Sequence, residues 1–366
     1  MSAQLRTAIV GCGKVTDLHA SALLRLKESR FTAVCSRSRV KAEHYAAKYG
    51  VKAYTDVGEM VQKEKIDVVN ICTPHPVHKD PSVAAMKTGA HVLVEKPMAS
   101  SLEDCDVMLE TARIHQKSIG VICQRRWYPP AARVKQAIES GKIGKPVFGT
   151  VNMLGWRDRS YYDSDPWRGS WEGEGGGVLV NQAPHQLDLL QWYMGDIDEL
   201  YGLWSNLNHP YLEVDDTANA ILKFKSGAVG NIIVSNSQKP GIYCKVHVHG
   251  ENGASVGVQT DGGAMFIAGM TNILEPPVND LWTVPGEENM LKEWVKEDSS
   301  FFLGLKNPME YFHERQIEDF LQAVLEGRPP AVTGGDGRVT VEIFTAIYRS
   351  TRDGKVIKWP LKPEGD

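Results

Sequence analysis

Residues 5–16 read LRTAIVGCGKVT, a mostly apolar run that ends at two closely spaced glycines and is followed by a helical pattern. A strand, a glycine turn and a helix in this order predict a nucleotide-binding unit. Gly11 would make the bend, and Gly13 would let backbone N–H groups approach a pyrophosphate at the positive end of the helix. Thr16 stands in place of the third glycine, which we expect to weaken helix–strand contact rather than phosphate binding. The predicted cofactor contacts here are Gly11, Gly13, Lys14 and Val15.

Outward from this turn, strands and helices alternate up to about residue 122. Apolar runs predict strands at 5–10, 31–36, 67–72, 91–94 and 118–123, and helical periodicity predicts helices at 17–27, 39–49, 79–88 and 102–116. This alternation is typical of a doubly wound parallel sheet. We therefore expect an α/β protein whose first domain, residues 1–122, is a Rossmann domain.

Beyond residue 122 the pattern changes to strands joined by short turns. Strands are predicted at 146–154, 199–205, 218–225, 228–235, 243–249 and 255–259, and helices at 130–140, 183–194, 309–326 and 337–350. Residues 260–308 have no clear pattern. Sequential strands with short connections indicate a mostly antiparallel sheet, so the second domain, residues 123–366, is predicted to be α+β. Its closing helices, 309–350, are candidates for packing back on the first domain.

The composition limits the class of protein. A chain of 366 residues has room for two domains, and a net charge of -4 with a pI near 6.3 gives no basic field for nucleic acid. The first strand begins within ten residues, which leaves no room for a signal peptide, and no apolar run reaches the roughly 18 residues that span a bilayer. The six cysteines form no C-x-x-C pair and are expected to be reduced. We expect a cytoplasmic protein that binds neither nucleic acid nor membrane.

Ligands of open α/β sheets bind at the carboxyl ends of the strands, so the residues that follow each strand are informative. Ser36 and Arg37 follow the second strand, where an NAD-specific site more often carries an acidic residue. Serine with arginine can instead accept the 2'-phosphate of NADP, although Arg37 is equally compatible with a solvated charge that stacks on adenine. The choice between NAD(H) and NADP(H) stays open at this point.

The loop after the third strand is punctuated by prolines and ends at His78. It cannot continue as strand or helix, and we expect it to lie beside the nicotinamide. His75 and His78 have an i, i+3 spacing that could suggest a metal, but no third or fourth ligand is near in the sequence. We therefore predict no metal site, and cofactor contacts from Thr73, Pro74, His75 and His78.

Glu95-Lys96-Pro97 directly follows the apolar run 92–94. A half-buried lysine close to a positive nicotinamide ring has its charged form disfavoured, which can bring its pKa into a useful range. It could then polarise a carbonyl or share the proton of a substrate hydroxyl. The predicted cofactor contacts in this turn are Glu95 and Lys96. The alternative is a structural ion pair with Glu95 or another carboxylate, and the glycine turn upstream is what favours the catalytic interpretation.

A second group of candidates follows the triple glycine at 175–177. Asn181, His185 and Asp188 have the i, i+4, i+7 spacing of one helical face, provided that the helix begins early enough. A histidine presented in this way can act as a general base near pH 7, although a lone histidine on an apolar helix is more often structural. The glycines, which allow a backbone to approach a ligand closely, favour a site, as do the upstream pairs Trp156-Arg157 and Trp167-Arg168.

Together these motifs resemble the glucose–fructose oxidoreductase, inositol dehydrogenase and rhizopine-catabolism family (Gfo/Idh/MocA). The resemblance covers nearly the whole chain. It rests on the glycine turn, Thr73-Pro74 with His78, Glu95-Lys96-Pro97, the triple glycine with His185 and Asp188, and residues 326–330. It implies that Lys96 and His185 act on the reacting hydroxyl, with Asn181 where members carry aspartate or asparagine. Because Asn181 cannot ionise, it would only orient the substrate, and the role of base falls on His185. His75 departs from the asparagine common in this loop, which leaves its role open.

The resemblance also implies a second domain with a large open sheet that packs on another subunit, and hence a homodimer or homotetramer. Residues 161–169 resemble members that act on pyranoses, including anhydrosugars and glycosides. The implied function is NAD(P)-dependent hydride transfer at a secondary hydroxyl or ketone of a sugar, glycoside, anhydrosugar or cyclic polyol. The candidate substrate contacts are Arg126, Trp127, Arg157, Trp167, Arg168 and Asp188.

Two alternative functions remain. The first is a keto-sugar reductase, or a glycoside 3-dehydrogenase that retains and recycles its cofactor. The second belongs to another class, a nicotinamide-binding sensor without turnover, and the presence of both Lys96 and His185 argues against it. A short-chain dehydrogenase is disfavoured because the chain contains no Tyr-x-x-x-Lys spacing.

Overall fold

The computed structural model describes residues 4–262 and 275–364. The chain divides into two compact units. The first holds the residues up to Gln124 together with Asn307–Arg338, and the second holds Arg125–Lys306 together with the residues from Val339 onward. The break after Gln124 lies close to the expected boundary at residue 122. Residues 307–338, however, group with the first unit and not with the predicted second domain of 123–366.

The first unit is built on a parallel sheet in the order β3-β2-β1-β4-β5-β6, the strand order of a Rossmann domain. Its strands are β1 (Leu5–Val10), β2 (Ser29–Cys35), β3 (Lys52–Tyr54), β4 (Val68–Ile71), β5 (His91–Val94) and β6 (Ile119–Val121). The central strands β4 and β5 are almost completely buried, as expected for a sheet that is covered on both faces. The predicted doubly wound α/β fold is confirmed.

The second unit is built on a larger sheet in the order β13-β12-β11-β7-β10-β9-β8-β14. In the described residues of this sheet only β7 and β10 pair in parallel, so the predicted, mostly antiparallel sheet is confirmed. Its strands are β7 (Pro146–Leu154), β8 (Ile197–Ser205), β9 (Thr217–Phe224), β10 (Val229–Ser235), β11 (Tyr243–Gly250), β12 (Ser255–Gly262), β13 (Val278–Trp282) and β14 (Ile357–Lys358). Burial alternates residue by residue along β9 and β11, which gives the sheet one covered face and one open face.

Helices cover these sheets. They are α1 (Thr16–Arg25), α2 (Arg39–Tyr49), α3 (Val57–Glu64), α4 (Lys79–Lys87), α5 (Leu102–Ile114), α6 (Pro129–Glu139), α7 (Arg159–Tyr162), α8 (Trp171–Glu174), α9 (Val178–Asn181), α10 (Pro184–Met194), α11 (Met290–Gly304), α12 (Pro308–Glu326) and α13 (Gly334–Asp353). None of the described helices is long and apolar enough to cross a membrane.

Helix α12 explains why residues 307–338 group with the first unit. Its buried side chains Ile317, Phe320 and Leu321 join the same apolar core as Ile9 of β1 and Leu93 of β5. Asn307 caps the helix by accepting a hydrogen bond from the backbone of Glu310 at 3.2 Å, and Pro308 occupies the first turn. The helix therefore completes the core of the Rossmann unit from a distant part of the chain.

The stretch 260–308, in which the sequence gives no clear pattern, contains the strand β13 and the helix α11. Residues 263–274 within it lie outside the described part of the chain. The short elements β3 and α3 were also missing from the sequence prediction. A three-residue strand carries too little periodicity to be recognised, and α3 is marked mainly by its cap, Asp56, which accepts from the backbone of Glu59 at 2.7 Å.

Candidate active site

The glycine turn after β1 is closed by its own side chains. Gly11 has a φ of +108°, and a Cβ atom there would lie 2.5 Å from the backbone of Cys72, so this position requires glycine. The hydroxyl of Thr16 accepts from the backbone N–H of Gly13 at 2.8 Å and donates to the carbonyl of Gly11 at 2.9 Å. Thr16 is fully buried. Its hydroxyl ties the turn to the start of α1, a contact that the sequence interpretation did not foresee.

The same turn offers room for a pyrophosphate. A Cβ atom on Gly13 would meet nothing within 4 Å, so its outer side is open. Val15, the residue before the first turn of α1, provides no side-chain cap for the helix. An uncapped N-terminus carries partial positive charge and favours an anion. Residues 11–16 therefore fit the phosphates of a dinucleotide.

The end of β2 carries no carboxylate. Ser36 accepts a hydrogen bond from the backbone of Ser38 at 3.2 Å, and Arg37 is exposed. Residues 36–39 read Ser-Arg-Ser-Arg, so nothing in this loop would repel a 2'-phosphate.

His78 braces the loop that follows β4. Its Nε2 lies 2.8 Å from the carbonyl oxygen of Thr73, and its Nδ1 lies 3.1 Å from that of Pro97. Burial lowers the pKa of His78, against the opposing effect of these carbonyls. The neutral ring has one N–H to donate to one of these carbonyls, and His78 lies between the ends of β4 and β5. We therefore interpret His78 as a residue that braces this loop rather than as the predicted cofactor contact.

Glu95 anchors the turn that carries Lys96. One carboxylate oxygen of Glu95 lies 2.8 Å from Nε2 of His19 and 3.6 Å from Nε2 of His313, and the other accepts from the backbone N–H of Lys96 at 3.2 Å. Burial raises the pKa of Glu95, but the two histidines outweigh it and hold this pKa well below its ordinary value. An ionised, buried Glu95 therefore positions the backbone of Lys96. We assign it this role rather than the predicted contact with the cofactor.

The two histidines come from distant helices, His19 from α1 and His313 from α12. The sequence prediction missed both, because neither belongs to a recognisable motif. One ligand atom each of His19, Glu95 and His313 lies within 4.8 Å of the others, a grouping that could hold a metal ion. The Nδ1 atoms bond elsewhere, that of His19 to Asn70 at 2.9 Å and that of His313 to the carbonyl of Met309 at 2.7 Å. Since both Nε2 atoms face the same carboxylate, we interpret the group as a buried hydrogen-bond network.

In the second unit, Asn181 and His185 do not belong to one regular helix. Asn181 ends α9 and His185 lies in the first turn of α10, which begins at Pro184. The backbone N–H of Ala183 donates to the carbonyl of Val178, five residues earlier, at 2.9 Å. This wide turn breaks the helical period, so the predicted i, i+4, i+7 face is interrupted between the two residues. His185 is 8% exposed and Asn181 is half-buried.

Asp188 is bound to Arg126. Arg126 donates to the two carboxylate oxygens of Asp188 at 2.9 and 2.7 Å, and both side chains are buried. A bidentate pair of this kind has strong directional preference. It ties Arg126 to α10, so we interpret Arg126 and Asp188 as holding His185 in place rather than as the predicted contacts with substrate. Trp127, the residue after Arg126, is half-buried.

The triple glycine packs against protein. The backbone N–H of Gly177 donates to Asp215 at 2.7 Å, and that of Leu179 donates to the same carboxylate at 2.9 Å. The hydroxyl of Tyr348 donates to it at 2.6 Å. A Cβ on Gly177 would lie 1.9 Å from the carbonyl oxygen of Asp215. At Gly177 the glycine is therefore required by this internal contact, and not by the close approach of a ligand that the sequence suggested.

Tyr161 is the centre of an aromatic and basic cluster that includes Arg157, Trp167 and Arg168. The guanidinium of Arg168 lies 4.3 Å from the centre of the Tyr161 ring and 4.4 Å from that of Trp167, and Arg157 lies 5.4 Å from Tyr161. Gln182 donates to the Tyr161 hydroxyl at 2.8 Å. The structure thus brings three of the predicted substrate residues together. Tyr161 and Glu174, its buried neighbour in this network, were not among the predicted site residues. Tyr161 lies in the segment 161–169 that resembles sugar-oxidising members, whereas Glu174 belongs to no motif.

The strand order and the glycine turn define a dinucleotide-binding Rossmann domain. Residues 5–122 match the model of the oxidoreductase family with the NAD-binding Rossmann fold, and residues 131–256 match the model of the GFO/IDH/MocA C-terminal domain. The chain belongs to the Gfo/Idh/MocA family.

The similar proteins include two inositol dehydrogenases. The chain is 25% identical over 361 residues to myo-inositol 2-dehydrogenase of Thermotoga maritima, covering 97% of this chain and 98% of that protein. It is 26% identical over 376 residues to scyllo-inositol 2-dehydrogenase (NAD(+)) of Bacillus subtilis, covering 99% and 98%. Among solved structures, the WlbA dehydrogenase of Bordetella pertussis, in complex with NADH and UDP-GlcNAcA, is similar with a TM-score of 0.85 and 27% identity over 99% of both chains.

Proposed function

We propose that the protein is a dehydrogenase that transfers a hydride between nicotinamide C4 and a secondary alcohol carbon of a sugar, glycoside or cyclic polyol. The observation that carries the proposal is Lys96 at the carboxyl end of β5, in a turn that ionised Glu95 fixes, within an NAD-binding fold. The relatives named above, inositol dehydrogenases and an enzyme bound to a nucleotide sugar, support this substrate class.

Bound nicotinamide supplies the hydride acceptor at C4. In our proposal His185 takes the proton of the substrate hydroxyl, and the ammonium of Lys96 stabilises the negative charge that develops on that oxygen. Asn181 orients the substrate by hydrogen bonding. The residues proposed to hold the cofactor are Gly11, Gly13, Lys14, Val15, Ser36, Arg37, Thr73, Pro74 and His75, with the role of His75 left open.

The proposed sugar contacts are Trp127, Arg157, Trp167 and Arg168. Aromatic faces suit the apolar faces of pyranoses, and arginine forks suit their hydroxyl rims. The cluster around Tyr161 keeps Arg157 and Arg168 in fixed positions, which lowers the entropy cost of ordering them on binding.

The first experiment measures absorbance at 340 nm with NAD and NADP separately, against pyranoses, glycosides, anhydrosugars, inositols and UDP-linked uronic acids. Reduction of the cofactor in one combination of cofactor and substrate would establish the proposed reaction. If cofactor binds but none is reduced, a ketone panel with NADH and a measurement of the cofactor off-rate follow. Oxidation of NADH by a keto sugar would make the protein a reductase, and a slow off-rate would indicate a recycling enzyme.

We further propose a cytoplasmic homo-oligomer. Tyr201, Leu203, Ile221 and Val229 are exposed on the open face of the second sheet, and apolar patches of this kind mark association sites. All six cysteines are present as thiols, which supports a reducing compartment. Light scattering on a sizing column tests the assembly, and Ile221→Glu should reduce the measured mass. The exposed residue Asn219 on the same strand gives the control, Asn219→Gln.

A further inference from the structure

The amide of Asn181 lies between two buried acceptors in the second unit. Its Nδ2 donates to a carboxylate oxygen of Glu174 and, at 3.2 Å, to the hydroxyl of Tyr161. Glu174 is 1% exposed and Tyr161 is 3% exposed. An ionised carboxylate only accepts hydrogen bonds, so it can face Nδ2 of the amide but not Oδ1. The contact with ionised Glu174 therefore fixes the direction in which the amide of Asn181 points.

Glu174 is held on its other side as well. Its Oε2 accepts from the backbone N–H of Gly169 at 2.7 Å, and Nη1 of Arg168 lies 3.9 Å from Oε1. Burial raises the pKa of Glu174 to about 7, while Gly169, Asn181 and Arg168 oppose this effect and Asp215 adds to it. The carboxylate is thus ionised only near and above neutral pH, in a pocket that stabilises one negative charge poorly.

A second ionised carboxylate in contact with Glu174 would be strongly unfavourable in this pocket. Two carboxyl groups at hydrogen-bond distance cannot both ionise easily, so they share one proton and titrate as a pair. The nearly isosteric change Asn181→Asp would create such a pair. It would also replace a donor, the Nδ2 group, by an acceptor on the side that faces Glu174 and Tyr161.

We propose that Glu174 is a positioning residue that acts through Asn181, holding the amide with Oδ1 turned towards the substrate and making an uncharged side chain necessary at position 181. The inference rests on the proposed function in one respect, that Asn181 orients the substrate. It adds a residue to the site that neither contacts the cofactor nor moves a proton.

The test is a cycle of Asn181→Asp, Glu174→Gln and the double variant. At pH 7.5 we expect N181D to lower kcat/KM at least tenfold, with partial recovery at pH 6, where the pair binds its shared proton. In the double variant the amide introduced at position 174 can donate to the carboxylate introduced at position 181, so kcat/KM should return to within threefold of wild type. The matched control is Glu172→Gln, which removes an exposed carboxylate two residues away and should change neither value. Wild-type kcat/KM in N181D, or a double variant no better than N181D, would overturn the proposal.

A second measurement, the melting temperature as a function of pH, does not require catalytic activity. Between pH 5.5 and 8.5 the melting temperature of N181D should fall more steeply than that of wild type, because ionising the carboxylate pair destabilises the native state. The melting temperature of the double variant should depend on pH no more steeply than that of wild type. If the melting temperatures of all the variants change with pH in parallel with wild type, positions 174 and 181 are not coupled. If wild type oxidises no sugar, the proposed function fails while this measurement still decides the role of Glu174. Should N181D be recovered unfolded, a folded double variant supports the proposal and an unfolded one contradicts it.

Discussion

Nε2 of His19 lies 2.8 Å from a carboxylate oxygen of Glu95, and the two side chains join α1 to the turn that carries Lys96. Burial lowers the pKa of His19, so the neutral ring donates through Nε2–H and accepts from Asn70 through Nδ1. The helix that follows the glycine turn and the turn that carries Lys96 are therefore connected by one hydrogen bond inside the Rossmann unit.

Glu95→Gln should destabilise the protein. The substitution weakens the acceptor for His19 and His313 in a buried place, which costs about 1–3 kcal/mol. Urea unfolding followed by circular dichroism measures the change. The control Glu110→Gln alters an exposed carboxylate that pairs with Arg113 on α5, and should leave the free energy of unfolding unchanged. Equal stabilities of the two variants would show that the buried network contributes nothing.

Lys96→Ala should lower kcat by on the order of 100-fold, because it removes the charge proposed to stabilise the developing alkoxide. Cofactor affinity, measured by fluorescence titration with NADH, should stay close to wild type. Lys87→Ala, at an exposed position at the end of α4, serves as the control. Near-normal turnover of Lys96→Ala would remove this residue from the mechanism.

Arg168→Ala should raise the KM for the sugar more than it lowers kcat. Arg168 stacks on Tyr161 and Trp167 and is proposed to bind hydroxyl groups of the substrate. Arg159→Ala provides the comparison, since Arg159 is exposed and pairs with Asp163 on the surface. Initial-rate kinetics over a range of sugar concentrations measures both constants, and an unchanged KM in the Arg168 variant would exclude it from the pocket.

Arg37→Asp should shift cofactor preference towards NAD by more than tenfold in the ratio of kcat/KM values. An acidic residue at the end of β2 accepts the ribose 2'-hydroxyl and repels a 2'-phosphate, whereas the exposed Arg37 repels neither cofactor. Arg30→Asp places the same charge change at the other end of β2 and should leave the ratio unchanged. The prediction fails if the two variants give the same ratio.

Local patterns in the sequence were sufficient for five of the six strands of the first sheet and for the glycine turn, but not for the short strand β3. The run 5–10, Gly11 and the alternation up to residue 122 each carry their own signal, because a buried parallel strand needs continuous apolar residues. The α+β character of the second unit followed from the short turns between strands. The assignment of residues 307–338 to the Rossmann unit was harder, since the core contact of α12 joins residues more than 200 positions apart.

The site was predictable only in its motifs. Lys96 and His185 stand in recognisable segments, whereas the partners that position them do not. His313 reaches Glu95 from α12, and Glu174 at the end of α8 contacts Asn181 at the end of α9. Such contacts depend on tertiary packing, which a single sequence does not encode as periodicity or spacing. The same limit explains why the triple glycine was interpreted as a ligand contact when Asp215 fills the space beside it.

The stability of the second unit should fall as the pH rises above neutral, because of His209. Burial lowers the pKa of His209, but the hydrogen bond from its Nδ1 to Asp216 at 2.8 Å, the carbonyl of Arg157 at 2.7 Å from Nε2 and the charge of Asp216 together outweigh burial and raise this pKa above 6.5. A histidine whose pKa is raised on folding stabilises the native state fully below the pKa of the unfolded chain, about 6.5, and this contribution disappears as the pH passes the folded value. Melting temperatures from pH 5.5 to 9 measure the slope. His209→Gln should flatten it, while His44→Gln, on the surface of α2 in the first unit, should not. If the His209 variant keeps the slope of wild type, the pair with Asp216 does not cause the pH dependence.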